Sequence, residues 1–358
     1  MSEWKKVRLK DCCHSISDGD HLPPPKSDSG VPFVTIANID ATNHIDFGNT
    51  MFVPYEYYNN LNDIRKAKFN DILYSVVGSF GKPVLIKENK PFAFQRHIAI
   101  LRPNNEIVDS RFLYYVMLSR DFYMQADTVA IGAAQRTISL TALRNMEVVL
   151  PSMEIQHRIA NILSRYDSLI ENYQKQIKLM EEAAQRLYKE WFIDLHFPEH
   201  ENTKIVDGVP EGWEKKKLHE IAEVVMGSSP KSEFYNNDKQ GLPFHQGVGS
   251  YGTRFVDDNV YSTSITRLAE PNSILFSVRA PVGRLNITKN KIIIGRGLAA
   301  MNHKDGFQSF LFYMLKERFF MDNIIGNGSI FASISKVELL DQEFIVPPMK
   351  TIKGCSIN

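Results

Sequence analysis

The chain has 358 residues, more than one ordinary core takes up and enough for two domains of common size. Its 42 Lys+Arg against 41 Asp+Glu leave a formal charge of +1, which excludes a global positive field as the means of drawing it to nucleic acid or an acidic membrane; any such attraction has to come from local patches. Cys12, Cys13 and Cys355 form neither a CxxC pair nor an evenly spaced framework, no apolar h-region follows Met1 and nowhere do eighteen apolar residues run together, so the sequence reads as cytosolic, with reduced thiols and no bilayer span.

From the N-terminus to about residue 150, β-branched and aromatic runs bounded by Gly, Pro and Asn dominate, such as "DILYSVV" from Asp71 and "PFAFQRHIAILRP" from Pro91, and they read as short strands. The domain is expected to be mostly β with one or two helices, and the run "DSRFLYYVMLSRDFYMQ" from Asp109 sets Phe112, Leu113, Val116 and Met117 at helical spacing, with Asp109 or Ser110 as the N-cap. Core packing explains its aromatics.

Residues 151–197 behave differently. Ile155, Ile159, Ile162 and Tyr166, then Ile170, Tyr173, Ile177, Met180, Ala184, Leu187 and Trp191, step by four and three with one extra step of four at Tyr166 to Ile170, a coiled-coil seam with a single stutter. Pro151 and Ser152 mark its start, and a loop with Pro198, Gly208 and Pro210 ends it. A helix from Ile155 to Trp191 is about 54 Å long at about 1.5 Å rise per residue. Such a seam needs another helix, from a partner subunit, a second copy of this chain or a C-terminal equivalent.

The second half, 198–348, repeats the first. "EWKKVRLKD" (3–11) pairs with "GWEKKKLHE" (212–220), "GVPFVTI" (30–36) with "GLPFHQG" (241–247), "NDILYSVVGSFGKPVLI" (70–86) with "NSILFSVRAPVGRLNI" (272–287), "QRHIAI" (95–100) with "GRGLAA" (295–300), "RFLYYVML" (111–118) with "SFLFYMLK" (309–316), and "GAAQRTISL" (132–140) with "GSIFASISK" (328–336). Six phrases in the same order mean one fold used twice. "VVLPSMEIQ" (148–156) also returns as "FIVPPMKTI" (344–352), marking where a second long helix starts; residues 349–358 are too few for it and include Gly354, so the expectation is a truncated stub. The fold class is α+β: two similar, mostly-β domains separated by a long coiled-coil-type helix.

Several chemistries lack their motifs. No glycine fingerprint sits between a strand and a helix, "DHLPPPKS" has no aromatic after its prolines, and "VGSFGKP" is two residues short of a phosphate-binding loop. Glu214 and Lys216 with Asp207 upstream resemble a nuclease triad, but a solvated turn explains them better. Neither HExxH nor GxSxG occurs, and His157 falls on the polar side of the helix.

Binding remains. Two non-identical domains on a stiff spacer suit a ligand with two sites along a line, and duplex DNA fits. Phosphate contacts call for Lys, Arg and hydroxyl groups, and base readout for bidentate donors on loops or strand edges. Such residues recur at matched places: Lys82 and Arg284 after a Gly-containing turn, Arg96, with His97 beside it, opposite Arg296, and Gln135 and Arg136 in the first copy only. Arg279 joins the second set, and Asn38, Lys231 and His245 lie in or beside loops that differ between copies, where specificity usually resides. Each single cation also fits a salt-bridged scaffold role; as a set they favour a DNA-facing edge. A protein-binding scaffold on a helical rod is the alternative.

The ordered set of "GW" with a following Leu and acid, the "PF" strand, "ILYSVVGSFGK", "GAAQRTIS", "LPSMEIQHRIANIL" and a second round from "VPEGWEKKKL" resembles the specificity subunits of type I restriction-modification systems, over nearly the whole chain. The resemblance implies two target-recognition domains separated by two antiparallel helices, a bipartite asymmetric DNA target, methyltransferase subunits docked on the helices and a restriction subunit joining them. It also implies that S-adenosylmethionine, ATP and Mg belong to those partners and that this chain is not itself a catalyst. Two departures stand out: the distal helix is absent, and Phe331 stands near the place of Gln135. A truncated allele or silent recombination cassette, a piece cut from a longer chain, and a central helix paired with a second copy all fit.

Overall fold

The computed structural model describes residues 4–21, 23–40, 42–133, 135–319 and 333–355. Phe331 and the start of the "GSIFASISK" phrase lie outside them. The chain divides into two compact units, Met1–Lys175 and Gln176–Asn358.

In the first unit the strand Lys5–Arg8 pairs antiparallel with Glu147–Leu150, from Lys5 opposite Leu150 to Arg8 opposite Glu147, so the unit's two ends close on each other. A four-stranded antiparallel sheet follows, in the order Cys13–Asp18, Ile98–Pro103, Ile72–Ser75, Pro83–Leu85. A smaller sheet sets Val31–Val34 between Met51–Val53 and Ala93–Phe94, the latter pair running parallel. Successive side chains of a strand point to opposite faces, and here both faces are covered, which is why the central strands read as unbroken apolar runs. Ile72, Tyr74, Ala99 and Leu101 face one core, shared with Leu113 and Met117. Leu73, Ile98 and Ile100 face another, shared with Val34 and Phe94.

The second unit repeats this plan. Glu214–Lys217 pairs with Glu343–Val346. The four-stranded sheet runs Ala222–Met226, Leu298–His303, Ile274–Ser277, Leu285–Ile287, and Leu242–His245 pairs parallel with Ile292–Ile294. Ile274, Phe276, Ala299 and Met301 face one core, and Leu275, Leu298 and Ala300 the other. The duplication holds down to which residue faces which layer, and the α+β class stands.

The run from Asp109 forms two helices. Ser110–Leu118 is capped by Asp109, whose carboxylate accepts the N–H groups of Arg111 (2.9 Å) and Phe112 (3.0 Å). Ser119 then takes extended geometry and accepts the N–H of Phe122 at 3.2 Å, starting a second helix, Arg120–Val129. A serine that competes for backbone donors ends one helix and begins the next.

The long helix runs Met153–Tyr188 and passes into a wider π turn, Lys189–Ile193. Its beginning packs on the first core through Ala160 and Ile159, and its end on the second through Tyr188, Trp191 and Phe192. Ile159 and Trp191, expected to face another subunit, are therefore used within the chain. Ile155 and Leu187 are half-buried, whereas Ile162, Tyr166, Ile170, Tyr173, Ile177 and Met180 are exposed. Polar clamps add to the packing: Glu171 accepts from Lys87 (2.5 Å) and meets His44 (3.0 Å) in the first unit, and Glu181 accepts from Arg254 (2.7 Å) in the second. After Pro348 the residues Met349–Cys355 are helical, with Ile352 buried and Gly354 against the Trp191 ring. Gly354 thus lies inside a helical turn and does not prevent one.

Candidate nucleic-acid interface

In each unit three strand ends meet at one edge. In the first, the N–H of Gly19 reaches Ile98 O (3.2 Å), that of Asp20 reaches Phe94 O (3.2 Å), that of Gln95 reaches Val34 O (3.1 Å) and that of Arg96 reaches Asp20 O (3.2 Å). In the second, Gly227 donates to Leu298 O (2.9 Å), Ser228 to Ile294 O (2.9 Å) and Gly295 to His245 O (2.8 Å). The crossing is too close for any side chain: a Cβ on Gly19 would lie 2.1 Å from Phe94 O, and one on Gly227 2.1 Å from Gly295 O. Arg96 and Arg296 stand exposed at equivalent tips.

A second turn adjoins this edge. The N–H of Val76 donates to His97 O and that of Val278 to Gly297 O, both at 2.9 Å, while Val76 O accepts from Ile138 (2.8 Å) and Val278 O from Ile334 (2.9 Å). Segments 75–82, 95–97 and 135–138 therefore lie side by side, as do 277–284, 295–297 and 333–334. The structure brings together the segments that carry Lys82, Arg96, His97, Gln135 and Arg136 in one unit and Arg279, Arg284 and Arg296 in the other. Gln135, Arg279, Arg284 and Arg296 are exposed, and Lys82 and His97 half-buried.

Other candidates are committed elsewhere. Asn38 is buried and holds a short helical turn, its Oδ1 accepting from the N–H and the hydroxyl of Thr35 at 2.8 Å each. His245 is buried between Ser250 Oγ (2.7 Å from Nδ1) and Asp258 Oδ1 (2.9 Å from Nε2), and burial lowers its pKa despite the carboxylate. Neither side chain is presented to a ligand. Arg136 pairs with Asp127 and lies over the Phe80 ring at 5.3 Å, a scaffold role. Lys231 is exposed beside Glu233 (3.9 Å), and Glu214 is paired with Lys216 (2.8 Å).

The two edges differ chemically. In the first, Asp18 and Asp20 are met by His21 (2.9 Å to Asp18), Arg65 (3.3 Å to Asp20) and the Tyr57 hydroxyl (2.6 Å to Asp20). In the second the same places hold Met226 and Ser228, and the neighbouring Ser229 donates to Gln246 Oε1 at 2.7 Å. Ser229 and Gln246 were not singled out from the sequence. The available signal was the alignment of Gln246 with Thr35, one residue past the matched "PF" strand.

Among the described residues there is no cluster of His, Cys, Asp and Glu able to hold a metal, and no helix long and apolar enough to cross a membrane. A strand-rich domain used twice, each copy ending in a polar edge of strand tips and joined to the other by one long helix, defines a duplicated recognition protein. The chain belongs to the family of the type I restriction modification DNA specificity domain, which matches residues 1–181 and again 210–353. It is a specificity subunit, the non-catalytic recognition component of such systems. A putative type I restriction enzyme specificity subunit, MjaX, of Methanocaldococcus jannaschii is 31% identical over 98% of this chain and 85% of its own length. The MjaIX specificity subunit of the same organism is 28% identical over 70% of this chain and 61% of its own. The crystal structure of the type I restriction-modification S subunit from M. genitalium shares the fold, with a TM-score of 0.62 at 17% identity, over 99% of this chain and 87% of that one.

Proposed function

We propose that this chain recognises a bipartite DNA target in the cytoplasm, one half-site per domain, and positions a separate adenine-N6 methyltransferase on it, with a restriction subunit joining the same assembly. The observation that carries this reading is the pair of equivalent strand-tip edges, alike in backbone and different in side chains: the same scaffold offered to two different half-sites. Arg96 and Arg296 at the tips, with Lys82 and Arg284 on the adjoining turns, supply phosphate contacts, and the residues that differ supply base readout. The exposed middle of the long helix, from Ile162 to Met180, is the docking face for the methyltransferase. S-adenosylmethionine, ATP and Mg act in the partner subunits.

The test is to co-express the chain with the methyltransferase encoded beside it, in a host without other DNA methylation, and to map modified adenines by single-molecule sequencing. An asymmetric split motif is the expected result. A palindromic split motif means that two copies of the chain pair through the helix, each using one domain, and no modification overturns the reading.

A further inference from the structure

Gln246 stands exposed at the end of the strand Leu242–His245, on a backbone fixed from both sides. Its carbonyl accepts the N–H of Gly297 at 3.1 Å, and the preceding carbonyl, of His245, accepts that of Gly295 at 2.8 Å. Beneath it the buried His245 ring is held by Ser250 and Asp258, and Asp258 in turn accepts from Asn290 at 3.0 Å. Gly295 makes room for the amide and Gly297 for the backbone: a Cβ on Gly295 would fall 2.6 Å from Gln246 Oε1, and one on Gly297 2.5 Å from the Gln246 backbone carbonyl oxygen.

Ser229 Oγ accepts the N–H of Arg296 at 3.2 Å and donates its own proton to Gln246 Oε1 at 2.7 Å. The oxygen of the amide is thereby turned inward, and Nε2, which has no protein acceptor among the described residues, keeps both hydrogens for the outside. A polar side chain held by its neighbours with its donors left unspent is built to read an acceptor. The equivalent Thr35 does the opposite, giving its hydroxyl to Asn38 Oδ1 at 2.8 Å.

We infer that Gln246 reads a base in the second half-site, donating from Nε2 to an acceptor on the base edge (N7 of a purine, O6 of guanine or O4 of thymine), and that Ser229 is the positioning residue that sets its amide. This rests on the DNA-recognition reading above. The test is selection from a random-sequence duplex library by the full-length chain, alongside Gln246→Ala, Gln246→Glu and Ser229→Ala. The original chain enriches a split motif. Gln246→Ala loses about tenfold discrimination at one base pair in one half only. Gln246→Glu, an acceptor in place of a donor, shifts that position toward a base presenting an amino group. Ser229→Ala weakens discrimination at the same base pair, where a merely structural loss lowers affinity for all sequences alike. A motif unchanged in Gln246→Ala and Gln246→Glu overturns the assignment while leaving DNA recognition standing; no enrichment by the original chain overturns the DNA reading itself.

Discussion

Arg102 grips Asp71 through three hydrogen bonds, Nε to Oδ1 at 3.1 Å, Nε to Oδ2 at 3.3 Å and NH2 to Oδ2 at 2.9 Å, and in the second copy the same two places hold Asn302 and Ser273, joined by one bond of 3.1 Å. An ion pair in one domain is a neutral pair in the other, at the same two aligned places. Asp71 is buried, so Arg102→Ala leaves a carboxylate without its counter-charge and costs about 3 kcal/mol in denaturant unfolding. Asn302→Ala costs about 1 kcal/mol, the usual net worth of a neutral hydrogen bond. Installing the second copy's pair in the first, Asp71→Ser with Arg102→Asn, recovers most of what Arg102→Ala loses. A double variant no more stable than Arg102→Ala would show that the pair does more than satisfy itself.

Ser75 and Ser277 shape the cation-bearing turns. Ser75 Oγ donates to Ser79 O (2.9 Å) and accepts the N–H of Lys82 (2.9 Å); Ser277 Oγ donates to Pro281 O (2.6 Å) and accepts the N–H of Arg284 (2.8 Å). Both serines are buried, so alanine removes the two bonds that each hydroxyl makes across its turn. Ser75→Ala and Ser277→Ala are each expected to cost about 1–3 kcal/mol. Lying in separate units, they add within about 0.5 kcal/mol in the double variant. Chemical unfolding of the single and double variants checks both values, and marked non-additivity would mean that the two turns are coupled.

Much of this was legible in the sequence because it was written twice. The paired phrases fixed the register of the two halves, and apolar runs such as "ILYS" and "ILFS" announced strands buried on both faces. The break at Ser119 was not legible, because apolar periodicity continues across it and only the serine's hydrogen bond to Phe122 ends the helix. His245 and Asn38 misled for a related reason. A polar residue in a variable loop looks like a ligand contact until burial and partners are known, and both turned out to serve the loop itself. Gln246 escaped notice because one exposed amide is ordinary; its meaning lies in Ser229, seventeen residues away along the chain and in contact through the strand tips.

The second unit is expected to lose stability on acidification. Burial lowers the pKa of His245 against the opposing pull of Asp258, and burial also lowers that of His303 against Asp305. The unfolded chain therefore takes up these protons first, at the ordinary imidazole value of 6.5, and the folded chain only at lower pH. Stability is complete above that value, falls as the pH drops below it, and stops falling once the folded imidazoles are protonated. Melting followed from about pH 8 down to about pH 5 should show this slope, and His245→Gln should make it shallower while lowering stability at the alkaline end by about 1–2 kcal/mol through lost hydrogen bonds. An unchanged slope in His245→Gln would move the acid sensitivity elsewhere.

The middle of the long helix makes the opposite kind of prediction, a change in association without a change in fold. Tyr166 is 63% exposed, Tyr173 55% and Ile177 49%, so within this chain they bury little apolar surface and contribute little to folding. Replacing Tyr173 and Ile177 together with serine should alter unfolding free energy by no more than about 0.5 kcal/mol per site. A continuous apolar stripe on a helix surface is nevertheless unfavourable in water, and covering it with a second helix recovers about 25 cal/mol for each Å² removed from solvent. By itself the original chain is therefore expected to self-associate in sedimentation velocity at micromolar concentration, and, when co-expressed with the methyltransferase, to give up that contact for the methyltransferase and retain it through purification. The double-serine variant should do neither while melting at the same temperature. If it melts earlier, the stripe is packed inside the chain; if it associates as before, the contact lies on another surface and the helix face is only a solvated spacer.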